Sequence, residues 1–97
     1  MIIELKKFGN ILSSRQNGRE AFLGFSSNLK DISVEENVIV DFSGVDVFTP
    51  SWGDEFLTSL QKKFQDKLVL EKTKNSSVLA SVDILEKTNG VKFNWKK

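Results

Sequence analysis

The stretch VIVDFSGVDVFTPSWGDE, residues 38–55, decides the fold of this chain. It begins with Val38–Phe42, a short and nearly continuous run of β-branched and aromatic residues. Such a run is typical of a central strand that is covered on both faces. Ser43 and Gly44 end the strand, and a short polar loop leads directly into a helix. In an open α/β sheet this loop lies at the carboxyl ends of the strands, where ligand and partner sites usually form.

The helix after this loop is predicted from about Ser51 to Phe64. Its apolar residues recur at helical spacing and form one stripe, which consists of Trp52, Phe56, Leu57, Leu60 and Phe64. Pro50 fits either as the first helical residue after a Thr49 cap or just outside a Ser51 cap. The free N–H groups and positive dipole end of such a helix start favour an anion or a phosphorylated hydroxyl.

The residues before this stretch predict a hairpin and a helix. Residues 2–12 read as a strand, a tight turn at Gly9-Asn10 and a short return strand, which would add an antiparallel edge to the sheet. Ser13 and Gln16 have the spacing of a capping box, so a helix should start there and end near Asp31.

The residues after the stretch continue the alternation of strands and helices. Residues 67–71 predict a strand, Asn75 caps a third helix that Asn89-Gly90 ends, and residues 91–95 alternate as a half-exposed strand. The whole chain, residues 1–97, is therefore predicted to be one α/β domain. We expect a mixed, mostly parallel sheet of four or five strands with right-handed crossovers and about three helices.

The composition excludes most catalytic chemistry. The 97 residues include no Cys and no His, so thiolate and imidazole metal sites, Cys nucleophiles and imidazole triads are ruled out. An oxygen-ligated Mg²⁺ or Ca²⁺ site is the one metal site left open, and we expect no metal, no cofactor and no catalytic residue. The 14 Lys+Arg and 13 Asp+Glu leave a net charge of +1, which gives no general attraction to nucleic acid or membrane. A charged N-terminus and the lack of a long apolar run predict a cytoplasmic protein.

One motif resembles a known family. Residues 41–45, DFSGV, followed by Phe48 and by Ser51 at a helix start, resemble the signature loop of STAS domains, the fold of bacterial anti-sigma factor antagonists. A STAS-like domain family of unknown function is a closer match. Its members look like this sequence in two places, residues 14–19 and residues 53–56.

The resemblance implies a regulatory role in signalling. In the antagonists, a Ser at this helix start is phosphorylated by a kinase of the histidine-kinase-like ATPase type, and the dephosphorylated antagonist binds that kinase and releases a sigma factor. By this resemblance Ser51 is the phosphoacceptor, and the partner is such an ATPase or an anti-sigma factor, with no role for nucleic acid or membrane. The predicted docking residues are Asp46, Thr49, Pro50, Ser51 and Trp52.

Each of these residues also has an ordinary structural interpretation. Ser51 as a simple helix cap needs only about 1 kcal/mol of capping energy. Asp54 and Glu55 complement the helix dipole better than they form an acid/base pair, because adjacent helical residues do not face each other. One of them is predicted to pair with Arg15 and to tie the two helix starts together. Trp52 is either a partner-binding anchor or, by its helical spacing, a core residue.

The distribution of charge along the chain is uneven. Residues 31–55 hold seven acidic residues and no basic one, which suits docking to a basic partner surface or simply a solvated face.

Two other function classes remain. The second hypothesis is a small-ligand or nucleotide-binding domain that uses the helix N-terminus near Ser51, although no glycine-rich phosphate loop supports it. An enzyme is the third and least favoured.

Overall fold

The structure is a computed structural model that describes residues 1–33 and 35–97. In chain order, its elements are β1 Ile2–Glu4, β2 Ile11–Leu12, α1 Arg15–Phe25, β3 Val38–Asp41, β4 Val47–Phe48, α2 Pro50–Phe64, β5 Leu68–Leu70, α3 Ser76–Asn89 and β6 Asn94–Trp95. Short 3-10 turns follow β1, α1 and α2, at Leu5–Phe8, Ser26–Leu29 and Gln65–Lys67.

The main sheet has four strands in the order β1-β3-β5-β6, and β2 pairs with β4 in a second, two-stranded sheet. The prediction of an α/β fold with a mostly parallel sheet and three helices is confirmed, and β3 is central as predicted. The prediction of a mixed sheet is wrong in one respect, because every strand pair in the described part of the chain is parallel.

The N-terminal hairpin is the part of the topology that was wrongly predicted. After β1 the chain enters a 3-10 turn that carries the fully buried Leu5 into the core, and Gly9 follows with φ of +127°. β2 then leaves the main sheet and pairs in parallel with β4, so that Ile11 lies opposite Val47 and Leu12 opposite Phe48.

In the described parts of the chain, the helices cover one face of the sheet. Because the strand order advances in a single direction, right-handed crossovers deliver α1, α2 and α3 to the same side. The residues that face them are buried, as in Val38 and Val40, while Ile39 on the opposite face is only partly buried and its neighbour Ile2 is exposed. The expectation that β3 is covered on both faces is therefore wrong.

The first helix begins one residue later than the predicted capping box implies. Its N-cap is Ser14, whose Oγ accepts a hydrogen bond from the Asn17 N–H at 3.0 Å. Gln16 does not reach back to the helix start, because its side chain donates to Glu20 one turn further on.

The other two helices begin and end as their local sequences predict. Thr49 caps α2 with Pro50 as the first helical residue, which decides between the two predicted arrangements. Asn75 caps α3 by accepting from two backbone N–H groups, and Gly90 ends it in the left-handed conformation with φ of +63°.

Aromatic rings form the centre of the core under α2. The rings of Trp52 and Phe56 stack with centroids 4.9 Å apart, and Phe8 packs against both from the turn after β1. Both α2 rings are buried, so the apolar stripe predicted for this helix is confirmed. Within residues 1–33 and 35–97, no helix has the length and apolar character that crossing a membrane requires.

Candidate functional site

The loop after β3 lies at the carboxyl edge of the sheet and is built from two local turns. The Asp41 carboxylate accepts a hydrogen bond from the Ser43 N–H at 3.0 Å, and this bond is the main reason that the pKa of Asp41 is lowered. The Val45 N–H donates to the Phe42 carbonyl at 3.1 Å, and Gly44 takes φ of +83° at the third position of that turn. A residue with a Cβ is disfavoured there, which explains the glycine.

Two asparagines hold the next part of the loop from opposite sides. The Asn10 carbonyl accepts from the N–H groups of Asp46 and Val47 at 2.7 and 3.1 Å, and its side-chain amide donates to the Asp46 carboxylate at 2.9 Å. On the other side, the Asn75 amide donates to the carbonyls of Val45 and Asp46 at 2.9 and 3.2 Å. The loop is therefore held to both β2 and the start of α3.

Helix α3 also closes the outer edge of β4. Phe48 donates its N–H to the Ser77 hydroxyl at 3.1 Å, and the Ser81 hydroxyl donates to the Phe48 carbonyl at 2.6 Å. The two serines are four residues apart and face the strand together. Side chains of a helix thus make the hydrogen bonds that a further strand would make.

Two of the predicted docking residues are held within the fold: Trp52 is buried, and Thr49 is partly exposed with its hydroxyl hydrogen-bonded to the backbone. Trp52 is 1% exposed, so the prediction that it contacts a partner is wrong and its alternative interpretation as a core residue is correct. The Thr49 hydroxyl donates to the Ser13 carbonyl at 2.8 Å and accepts from the Trp52 N–H at 3.4 Å. Because that hydroxyl joins β2 to α2, Thr49 has a structural role.

The remaining docking residues lie on the outside with two apolar neighbours. Ser51 and Asp46 are exposed, and Pro50 is partly exposed. Ile11 and Val47, which lie opposite each other on β2 and β4, are 60% and 38% exposed. These five residues, Ile11, Asp46, Val47, Pro50 and Ser51, are called the docking surface below.

Ser51 is the second residue of α2 and not its cap. The first turn of this helix offers few free donors, because Pro50 has no N–H and the Trp52 N–H is bound by the Thr49 hydroxyl. The Gly53 N–H already donates to the Thr49 carbonyl. Of the free N–H groups that were expected at this helix start, the backbone N–H of Ser51 itself therefore remains.

Charged residues join the starts of α1 and α2. Arg15 donates from one nitrogen, Nη1, to the carboxylates of Asp54 at 2.9 Å and Glu55 at 2.7 Å, and Arg19 donates to Glu55 at 3.1 Å. The structure thus places Arg15 against both predicted acidic residues, not one. Asn89 from α3 adds a longer contact to Asp54 at 3.4 Å.

These contacts keep the two carboxylates charged. The hydrogen bond from Arg15 is the main cause that lowers the pKa of Asp54, and the bond from Arg19 is the main cause that lowers the pKa of Glu55. The pKa of Arg15 is raised by the same pairing. Two carboxylates that stay ionised and paired are poorly suited to acid/base chemistry.

Two glycines allow helix α2 and its neighbours to pack closely. A Cβ at Gly18 would lie 2.7 Å from the Trp52 carbonyl oxygen, so α1 and α2 touch backbone to backbone at this point. A Cβ at Gly53 would lie 2.8 Å from the Phe48 ring and 2.9 Å from Leu85. Gly18 of the first motif therefore lies at the crossing of α1 and α2, while Gly53 of the second motif lets α2 pack against β4 and α3.

Several residues of the site were not predicted from the sequence. They are Asn10, Arg19, Ser77, Ser81, Asn89 and the side-chain amide of Asn75. The spacing of Arg19 four residues after Arg15 is a signal that could have been read, since such residues share a helix face. Within the described parts of the chain, no group of three or more acidic residues is placed to hold a metal ion.

A parallel sheet with its helices on one face, and a strand, loop and helix start held as described, define a small α/β domain. A family described as "STAS-like domain of unknown function (DUF4325)" matches residues 17–78, well over half of the chain. The chain belongs to this family. The match contains Gly18, the loop after β3, all of α2 and the start of α3. Comparisons with curated proteins and with solved structures found no match.

Proposed function

We propose that this protein is a non-catalytic regulatory module that docks to a signalling protein through the docking surface, with Ser51 as a switch. The partner is a histidine-kinase-like ATPase or an anti-sigma factor, as in the antagonists that share the STAS fold. The observation that carries the proposal is the exposed Ser51 hydroxyl in the first turn of α2, beside a loop fixed from both sides.

The composition of the docking surface supports protein binding. The apolar side chains of Ile11 and Val47 adjoin across β2 and β4 and are open to solvent. Asp46 precedes Val47 in the chain, Ser51 lies in the first turn of the helix that follows β4, and both polar residues are exposed. An apolar centre with a polar rim is the usual anatomy of a protein interface.

Phosphorylation would change this surface without unfolding it. A phosphoserine adds about −1.5 to −2 charge at neutral pH. At position 51 it would lie one helical turn before Asp54 and Glu55, whose charges are already paired with Arg15 and Arg19. The helix dipole favours the phosphate by about 0.3 to 1 kcal/mol at an exposed site, while Asp46 opposes it. These effects nearly cancel in the free domain, so the added charge acts on the partner.

The alternative of a nucleotide or phosphate site at this helix start has less support. An anion at a helix N-terminus needs several free N–H groups. Here Pro50 has none, and those of Trp52 and Gly53 are bound by Thr49. The position suits a covalently attached phosphate better than a bound one.

The test compares capture of a candidate ATPase or anti-sigma factor by the parent and its variants. We expect Ser51→Ala to bind like the parent and Ser51→Asp to bind at least about tenfold more weakly, with little change in melting temperature for either. Val47→Asp should also lose binding, because it places a charge in the apolar centre of the interface.

The matched control is Ile84→Asp, an exposed apolar residue on α3 that lies outside the docking surface. It should bind like the parent. Incubation with the ATPase and ATP, followed by mass spectrometry, should place the phosphate on Ser51. Equal binding by Ser51→Ala, Ser51→Asp and Val47→Asp to a demonstrated partner would contradict the proposal.

A further inference from the structure

A groove lies at the carboxyl ends of β5 and β6, away from the residues of the docking surface. It has a volume of about 550 Å³ and is lined by Lys72, Thr73, Lys74, Leu79, Trp95 and Lys96. In open α/β sheets, ligands bind in the crevice beyond the carboxyl ends of the strands. This groove, called the Trp95 groove below, has that location. It contains none of the docking-surface residues and none of the paired charges Arg15, Arg19, Asp54 and Glu55.

The floor of the groove is apolar and flat. Trp95 is partly buried at the end of β6, and its ring packs against Phe42, with centroids 6.3 Å apart and planes 38° from parallel. Leu79 on α3 is 45% exposed and forms the neighbouring wall. A ring that is fixed from behind and open in front is a stacking platform for a planar group.

The rim of the groove is basic. Lys72 and Lys74 come from the loop between β5 and α3, and Lys96 follows β6. Glu71 lies 3.7 Å from the Lys96 ammonium, which offsets one of the three positive charges. The net charge of this rim is positive, so it favours an anion.

The volume of the groove suits a small ligand better than a protein partner. Pockets for small organic ligands usually have about 300 to 1,000 Å³ and combine an apolar wall with a few charged or polar groups. The Trp95 groove fits both descriptions.

We propose that the Trp95 groove binds a small anion that carries a flat aromatic ring. The ring stacks on Trp95, and the phosphate or carboxylate group lies among Lys72, Lys74 and Lys96. This site does not depend on the role of Ser51, and it differs from a phosphate site at the start of α2.

The two tryptophans provide an internal control for the test. In the ¹⁵N-labelled full chain, they give two indole N–H resonances, and Trp95→Phe assigns them. A nucleoside monophosphate and an aromatic carboxylate are titrated separately, because either could supply a ring and an anion. We expect at least one of them to shift the Trp95 indole signal saturably, while the signal of the buried Trp52 stays in place.

Further titrations separate the two halves of the ligand. Inorganic phosphate has the charge without the ring, and the neutral nucleoside has the ring without the charge. Each should bind at least about tenfold more weakly than the ring-bearing anion. Lys72→Gln combined with Lys74→Gln should weaken binding about tenfold or more. Lys62→Gln, an exposed lysine on α2, is the matched control and should bind like the parent.

Three results would overturn the proposal. One is the absence of a saturable shift at Trp95 with both ring-bearing anions at millimolar concentration. The second is equal binding of inorganic phosphate or the neutral nucleoside. The third is unchanged affinity in the double lysine variant, provided that its spectrum shows the folded chain.

Discussion

The crossing of α1 and α2 has an inner and an outer side that are held together in different ways. On the inner side, the rings of Trp52 and Phe56 stack in the core, out of contact with water. On the outer side, Arg15 and Arg19 pair with acidic residues in solvent. Burial of aromatic surface contributes several kcal/mol, whereas exposed ion pairs contribute little. The inner side therefore stabilises the domain, and the outer side aligns the two helix starts.

The largest expected effect comes from the inner side. Phe56→Ala removes a fully buried ring that contacts Trp52, Phe8 and Phe22, and should lower the free energy of unfolding by about 3 to 5 kcal/mol. Urea denaturation measures this change. Leu23→Ala, at an exposed position on α1, is the control and should shift the free energy by less than about 0.5 kcal/mol. A Phe56→Ala midpoint equal to that of the parent would show that the ring does not support the core.

Two glycines of α1 test whether backbone contact sets the crossing. Gly18→Ala should cost about 1 to 3 kcal/mol, because its Cβ would meet the Trp52 backbone at 2.7 Å and the helices must separate. Gly24→Ala in the same helix meets no atom within 4 Å and should stabilise by about 0.4 to 1 kcal/mol. Denaturation of both variants under one condition gives the two signs. A stabilising Gly18→Ala would contradict the close approach.

A smaller effect is expected from the charges on the outer side. Arg15→Glu places a third carboxylate beside Asp54 and Glu55, so the melting temperature should fall at low salt. The loss should shrink in molar salt, because screening weakens interactions between exposed charges. Arg15→Gln, which removes the charge without reversing it, should have a smaller effect. A loss of stability that is independent of salt would assign Arg15 a packing role instead.

The smallest expected effect is on the stability of the domain at low pH. Because the Arg15 hydrogen bond lowers the pKa of Asp54 in the folded state, the folded chain takes up a proton there less readily than the unfolded chain does. This contribution to stability is complete above the ordinary Asp pKa of about 3.9 and is lost as the pH falls through the lower folded value. Asp54→Asn should therefore show a shallower loss of stability between about pH 5 and pH 2 than the parent. Equal slopes would indicate that the pair does not persist in solution.

Local chemistry explains which parts of the fold were predictable. Thr49-Pro50 and Asn75 specify helix starts by themselves, and Gly90 specifies a helix end, so α2 and α3 were predicted within a residue or two. The partner of a short strand is not a local property. β2 pairs with β4, whose residues lie 36 positions away in the chain. The hairpin was predicted because Gly9-Asn10 has the sequence of a tight turn, which carries no information about this distant partner.

The same difference applies to the candidate site. An approach of Arg15 to Asp54 or Glu55 was expected from the family resemblance and from opposite charge, and Arg15 reaches both carboxylates. The hydrogen bonds from Asn75 and Ser81 to the loop and β4 span about 30 residues of sequence, and neither residue type indicates a distant carbonyl as its partner. The burial of Trp52 depends on how closely α1 approaches α2. That close approach requires a glycine at position 18, which lies on α1 and not on the helix that carries Trp52.

Ser77 and Ser81 of α3 also affect the tendency of this protein to associate with a second copy of itself. A strand edge with unpaired N–H and C=O groups is a template for aggregation. At β4, Ser77 and Ser81 already occupy both backbone groups of Phe48. The exposed Val47 on the same strand can therefore face a partner, while the outer edge at Phe48 offers no bonding groups to a strand from another chain.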